Sequence, residues 1–243
     1  MKNPIATSLV LFALTACPGP VAGQTKTVKD AQQLWFGYMS TTKLNNRYSL
    51  WNDIHFVTQG FFIARTGFTR NFENASFTAG YAFLLIPISA KVTDLKRVEH
   101  RPWAQAIFTV PLSKSLVFTQ RTRYEARFRQ NVKDTVITDG YVFTNRVRFF
   151  MSLKKTFMTG KETKFKPFVM VGDEVLINFG KNITYNTFDQ NRIFFTVGLQ
   201  RKNLSYHVGY MNRFVQTGSS QFTLNHTVLF WVIHNFSWQK KAK

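Results

Sequence analysis

From Leu116 to Arg129 the chain alternates strictly between two kinds of side chain. Thr119, Arg121, Arg123, Glu125, Arg127 and Arg129 share one face of a period-two pattern. Phe118, Gln120, Thr122, Tyr124, Ala126 and Phe128 share the other. Such alternation predicts a β-strand lying between two different environments. A helix would scatter the same arginines around its circumference. The pattern recurs. In 190–202, Ile193, Phe195, Val197 and Leu199 oppose Arg192, Thr196, Gln200 and Lys202. In 139–154, Tyr141, Phe143, Val147, Phe149, Met151 and Leu153 oppose Thr144, Arg146, Arg148 and Ser152. In 75–86, Phe77, Ala79, Tyr81, Phe83 and Leu85 oppose Ser76, Thr78 and Gly80; in 103–112, Ala104, Ala106, Phe108, Val110 and Leu112 oppose Gln105 and Thr109.

Strands are therefore expected near 34–43, 47–57, 61–71, 75–86, 103–112, 115–129, 139–154, 165–179, 190–202, 204–216 and 221–237. No stretch reads as a capped amphipathic helix, and no linker or composition break divides the chain, so residues 34–238 read as one all-β domain. Connections near 45–46, 72–74, 113–114, 155–164 and 203 look mostly short; those at 87–101, 130–138 and 180–189 look longer. In an outer-membrane barrel, short turns face the periplasm and long loops face outward. This places the short set in the periplasm and runs the first strand downward. Because bacterial barrels have even strand numbers, the expectation is an antiparallel up-and-down transmembrane barrel of about twelve strands, with about ten as the alternative.

A soluble β-sandwich also alternates. Its strands are typically about 5–6 residues long, whereas crossing a bilayer at a tilt takes about 9–11. These segments match the longer class. Trp35, Trp51, Trp103 and Trp231 fall in strands and Trp238 follows the last, which suits the aromatic girdles of a membrane barrel. Arginine on a lipid-facing strand surface costs about 2–4 kcal/mol at the midplane. Arg121, Arg123, Arg127 and Arg129 must then face the lumen, joined by Arg65, Arg146, Arg148, Arg192 and Arg213. Asp53, Glu125 and Glu174 are the acids placed to pair with them. Unpaired buried charge is expensive, so a narrow lumen this rich in guanidinium needs such partners.

Composition adds a second constraint. The 243 residues carry 32 Lys plus Arg against 12 Asp plus Glu, a formal charge of +20. That excess suggests nucleic acid, an anionic surface or acidic solutes as partners. Aromatics at 16% and lipid-scale strands argue against nucleic acid and leave membrane lipid and small anionic solutes. Lys2, the apolar run Ile5–Ala16, and Val21-Ala22-Gly23 before Gln24 read as a secretory signal over residues 1–23, implying export to a bacterial outer membrane. Residues 24–33 read as a polar extension, with a place in the lumen as one option, and 239–243 as a basic tail. Cys17 is the sole cysteine. It either leaves with the signal or, as Leu14-Thr15-Ala16-Cys17 allows, carries a lipid; neither option permits a disulfide framework.

The run Asn186-Thr187-Phe188-Asp189-Gln190-Asn191-Arg192, the row Arg121-x-Arg123-x-Glu125-x-Arg127, Arg146-x-Arg148, Asp173-Glu174 and Gly209-Tyr210-Met211 resemble a bacterial family catalogued as a domain of unknown function. Glu99-His100-Arg101 with Trp103, Arg65-x-Gly67 and Gly80-Tyr81 are similar to its pattern as well. The resemblance spans roughly 33–237. It implies an outer-membrane β-barrel and carries no activity, cofactor or catalytic residue with it.

Tests for chemistry are mostly negative. The arginine row with Glu125 reads either as an anion-selective constriction or as a structural network filling the lumen. Asp173 and Glu174 are adjacent in one strand and point to opposite faces, so Glu174 is expected to meet a lumen arginine while Asp173 sits near a rim. The five histidines are scattered, and His226 and His234 lie about 27 Å apart along one strand. No metal site and no cofactor are expected. Glu99 beside His100, in the longest expected loop, is the one local pair that suits a surface-acting enzyme. The leading expectation is a narrow pore or substrate-specific channel with a cationic lumen; the alternatives are an outer-membrane enzyme and a plugged structural barrel.

Overall fold

A computed structural model of the protein describes residues 26–88, 95–157 and 164–238. The expected signal segment 1–23, Cys17 and the tail 239–243 lie outside the described residues. Eleven strands follow one another: β1 (Thr27–Lys43), β2 (Tyr48–Val57), β3 (Phe62–Asn71), β4 (Ala75–Pro87), β5 (Lys96–Pro111), β6 (Leu116–Lys133), β7 (Val136–Thr156), β8 (Lys166–Phe179), β9 (Phe188–Arg201), β10 (Leu204–Gly218) and β11 (Gln221–Ser237). Each pairs with its sequence neighbours, and β1 pairs with β11, so the sheet closes on itself as a barrel.

Consecutive strands are antiparallel, but β1 and β11 run parallel, from Thr27 opposite Gln221 to Lys43 opposite Ser237. The closure follows from the strand number. In a meander each strand reverses the last, so an odd count leaves the first and last strands pointing the same way. The expected twelve strands, and the alternative ten, are thus corrected to eleven. The eleven alternating segments of the sequence correspond one to one with these strands, and the even-number preference of bacterial barrels does not hold here. The added length comes at the N-terminus. Residues 27–33, expected to precede the barrel, form the first part of β1 and supply its first seven register pairs in the parallel seam.

The connections do not sort by length as expected. At the end opposite the short set, Asp134 and Thr135 make a two-residue hairpin, and 58–61 and 219–220 are also short. Asp134 and Thr135 both have positive φ (49° and 66°), the geometry whose twist matches the flanking strands. The 130–138 region is therefore strand on both sides. Likewise β5 begins at Lys96, so Glu99, His100 and Arg101 are strand residues and not part of a long loop.

The period-two expectation holds around the barrel. Phe36, Ile54, Phe68, Phe77, Phe108, Phe149, Ile193, Phe195 and Phe230 point outward and are each between 40% and 58% exposed. Asp53, Glu99, Arg123, Glu125, Arg146, Arg148 and Glu174 point inward and are buried. The molecule is inside-out relative to a water-soluble β-protein, whose apolar residues gather in its core. Close approach inside the barrel relies on missing side chains. At Gly172 on β8, a methyl group would run into the ring of Phe194 on β9. At Gly67 on β3, it would meet Trp103 at 2.9 Å.

Candidate functional site

The lumen is the site, and β6 supplies its spine. Arg121, Arg123, Glu125, Arg127 and Arg129 occupy successive inward positions because side chains alternate along a strand. Glu125 is fully buried and lies opposite Arg146 in the β6–β7 register. Arg146 donates to it from Nε at 2.8 Å and Nη2 at 2.5 Å. Arg148 Nη1 donates to the other oxygen at 2.9 Å, and Arg101 Nη1 approaches at 3.3 Å. Glu174 is held by Arg148, by Arg121 Nη2 at 2.7 Å and by Arg192 Nη1 at 3.1 Å. Glu99 is held by Arg101 Nε, Arg127 Nε and Arg129 Nε, each at 2.8 Å. Asp189 accepts from Arg146 Nη1 at 2.8 Å.

These pairs form one continuous chain across five strands. Arg101 joins Glu99 to Glu125, Arg146 joins Glu125 to Asp189, and Arg148 joins Glu125 to Glu174. Glu99, Glu125 and Glu174 each have three guanidinium donors, which is what makes their burial tolerable. A separate pair lies on β2 and β3, where Arg65 grips Asp53 from Nε and Nη2, both at 2.7 Å, and His55 Nε2 stands 3.5 Å from the same carboxylate.

The wall facing this network is largely apolar, and its packing extends to Phe150, Met170 and Phe194 on β7, β8 and β9. Trp35, Val57, Phe194, Met211 and Leu229 form a buried cluster with Phe61, Phe150, Met170 and Trp231 against it. Ile63, Ala82, Leu84 and Trp103 form a second, with Trp51 alongside. The expected tryptophan girdle is therefore corrected. Trp35, Trp51, Trp103 and Trp231 face the lumen, where their rings pack on one another and under arginines; among the described residues only Trp238 is strongly exposed, at 78%. Their sequence parity already grouped them with the arginines: Trp103 shares a face with Gln105, and Trp51 with Asp53.

Between the two walls lies a cavity of about 570 Å³. An eight-stranded barrel is filled by its own side chains and a sixteen-stranded one holds an aqueous channel; eleven strands leave room for a small ligand. Eleven arginines line the cavity: Arg65, Arg97, Arg101, Arg121, Arg123, Arg127, Arg129, Arg146, Arg148, Arg192 and Arg213. Among the described residues the inward carboxylates number five, with Glu99 and Glu125 lying behind the arginines. The lumen thus carries a large surplus of positive charge.

All twelve charged residues expected in the lumen are there. Of the arginines paired with carboxylates, Arg129 and Arg121 keep the most solvent contact, with side chains 29% and 21% exposed. Among the described residues Arg213 has no carboxylate partner; it donates instead to Gln190 at 2.9 Å and Gln33 at 3.0 Å. Sequence reasoning missed Arg97, Glu99 and Arg101, which continue the inward parity of Trp103 and Gln105 beyond Pro102. It also missed Asp189. A bulge between Leu176 and Ile177 leaves Asp189 as the extra residue of β9 and turns its carboxylate into the lumen. Asp173 points outward as expected and accepts from Asn191 Nδ2, but it lies between Val171 and Val175 in mid-strand and not at a rim. Glu99 and His100 point to opposite faces, Glu99 into the charge network and His100 outward against Tyr81 and Tyr141. The pair cannot act as a local acid–base dyad. Among the described residues, no three His, Cys, Asp or Glu side chains come together as metal ligands.

The family described as Protein of unknown function (DUF2490) matches residues 32–223, and the chain belongs to that family. No curated protein and no solved structure matches it.

Proposed function

We propose that this member of the family is an outer-membrane β-barrel acting as a substrate-specific channel for small anions. The observation that carries the reading is the surplus of inward arginine around a 570 Å³ cavity. A ring of guanidinium raises the local anion concentration and repels cations, as charged rings do in selective pores. Membrane location rests on the outer surface. A continuous belt of exposed Phe, Ile and Val is far larger than a soluble monomer tolerates, and strands of 10–21 residues are long enough to cross a bilayer at a tilt. The signal-like residues 1–23 supply the export route.

Planar-bilayer recording of the folded protein tests the channel. A small conductance whose reversal potential in a salt gradient shows anion preference is expected. Cation preference would refute the electrostatic argument. A second reading, a plugged structural barrel, is favoured by one observation: Glu99 and Glu125 are fully buried beneath the arginines that pair with them. Folded, heat-modifiable protein that conducts nothing would select that reading. Protein that stays soluble without detergent would refute both.

A further inference from the structure

Arg123 stands apart from the other arginines of β6. It is 1% exposed, yet among the described residues no carboxylate lies within ion-pair distance of it. Its Nε and Nη2 both donate to Gln105 Oε1, at 2.9 and 2.6 Å, and its Nη1 has no partner. The guanidinium lies over Trp103 at 4.8 Å and Trp51 at 5.3 Å. Across the β6–β7 pair it faces another cation, Arg148. Its neighbour in the row, Arg121, has an unpartnered Nε and spends its other end on Glu174. Aromatic faces offset part of the cost of burying such a group, but they leave its net charge uncompensated. Arg121 and Arg123 are successive inward residues, about 7 Å apart along the strand, and both line the cavity. Arg121 lies over the ring of its cross-strand neighbour Phe150 at 4.6 Å, and from there an apolar wall runs through the stacked ring of Phe194 to Trp231, whose Nε1 is also unpartnered.

We infer that Arg123 and Arg121 form a binding site for the head group of an amphipathic anion, a carboxylate or phosphate carried on an apolar body. The head group supplies the missing acceptor and the missing negative charge. The apolar body lies along the wall of Trp231, Phe150 and Phe194. A cavity of 570 Å³ falls within the range of about 300–1,000 Å³ typical of small-molecule sites. This deepens the channel reading and rests on it only for the ligand's route, since binding is measurable without transport.

The test is calorimetric titration of the full barrel in phosphatidylcholine nanodiscs, with empty nanodiscs setting the partitioning background. Decanoate, decanol and inorganic phosphate are the probes. Decanoate is expected to bind saturably, decanol not above background, and phosphate at least about tenfold more weakly than decanoate. Arg123→Gln should weaken decanoate by about tenfold or more while keeping the heat-modifiable band. If that variant does not fold, Arg123→Lys keeps the charge, loses the planar fork and should still weaken binding. Decanol or phosphate binding as tightly as decanoate overturns the inference without any variant. So does an unchanged affinity in whichever variant folds, or no saturable binding at all. Saturable, Arg123-dependent binding with no conductance leaves the site standing and removes the channel; anion conductance without such binding does the reverse.

Discussion

Glu125 and Arg146 stand directly opposite each other on β6 and β7, and Arg146 grips one carboxylate oxygen with two nitrogens at 2.8 and 2.5 Å. The same carboxylate also serves Arg148 and Arg101. Removing its charge leaves three buried guanidinium groups facing one another. Glu125→Gln should therefore lower the unfolding free energy in lipid by about 3–5 kcal/mol, the cost of breaking a buried pair. Denaturant titration followed by the heat-modifiable gel shift measures it. A loss under about 1 kcal/mol would mean that the network does not hold the barrel together.

Glu99 offers a graded comparison within one carboxylate. Arg127 reaches it with a side chain 7% exposed, Arg129 with one 29% exposed. Arg127→Gln should cost several kcal/mol, whereas Arg129→Gln should cost no more than about 1 kcal/mol, because water already screens the outer partner. Equal losses in the same titration would contradict the burial difference.

Phe195 tests which solvent the outer face meets. It points outward from β9 and is 48% exposed. In a bilayer, Phe195→Arg should destabilise by about 2–4 kcal/mol if the residue lies near the midplane. On a water-exposed surface the same change usually stays within about 0.5 kcal/mol. Folding measurements in vesicles separate the two.

Gly172 tests the packing beneath the charge network. A methyl group there meets the Phe194 ring, so Gly172→Ala should cost about 1–3 kcal/mol by overpacking. Adding Phe194→Leu should restore part of the loss. If the double variant is no more stable than the single, the contact is not the cause.

The parallel seam makes a proximity prediction. Phe36 on β1 and Phe230 on β11 are register partners, stacked at 5.5 Å on the outer face. Cysteines at these two positions should join through a short thiol cross-linker in folded protein. They should fail to do so once residues 27–33 are deleted, because that truncation removes much of the β1–β11 pairing. Efficient cross-linking after truncation would show that the seam closes without its first seven pairs.

Side-chain sidedness was readable from the sequence almost everywhere. Strand geometry sends successive side chains to opposite faces, so Arg121 implies the direction of Arg123, Glu125 and Arg127 whatever their partners. The cost of charge against lipid then assigned that face to the lumen. The strand expected from 103 is only part of β5, which runs on through Pro102, a residue that cannot donate to a strand ladder. Glu99 and Arg101 lay just beyond it. The tryptophans followed the parity too, but a general preference of tryptophan for membrane interfaces was set above it.

What the sequence by itself determined is local: an all-β chain, long alternating strands, and a charged face opposed to an apolar one. These follow from covalent geometry and the period of two. What the tertiary structure alone decided is who meets whom. Closure through a parallel β1–β11 seam, the bulge that turns Asp189 inward, and the chain of pairs from Glu99 through Glu125 to Glu174 all depend on register between separate strands. So does the isolation of Arg123. Whether a buried charge is paired depends on residues brought near by closing the barrel, and alternation along one strand carries no information about them.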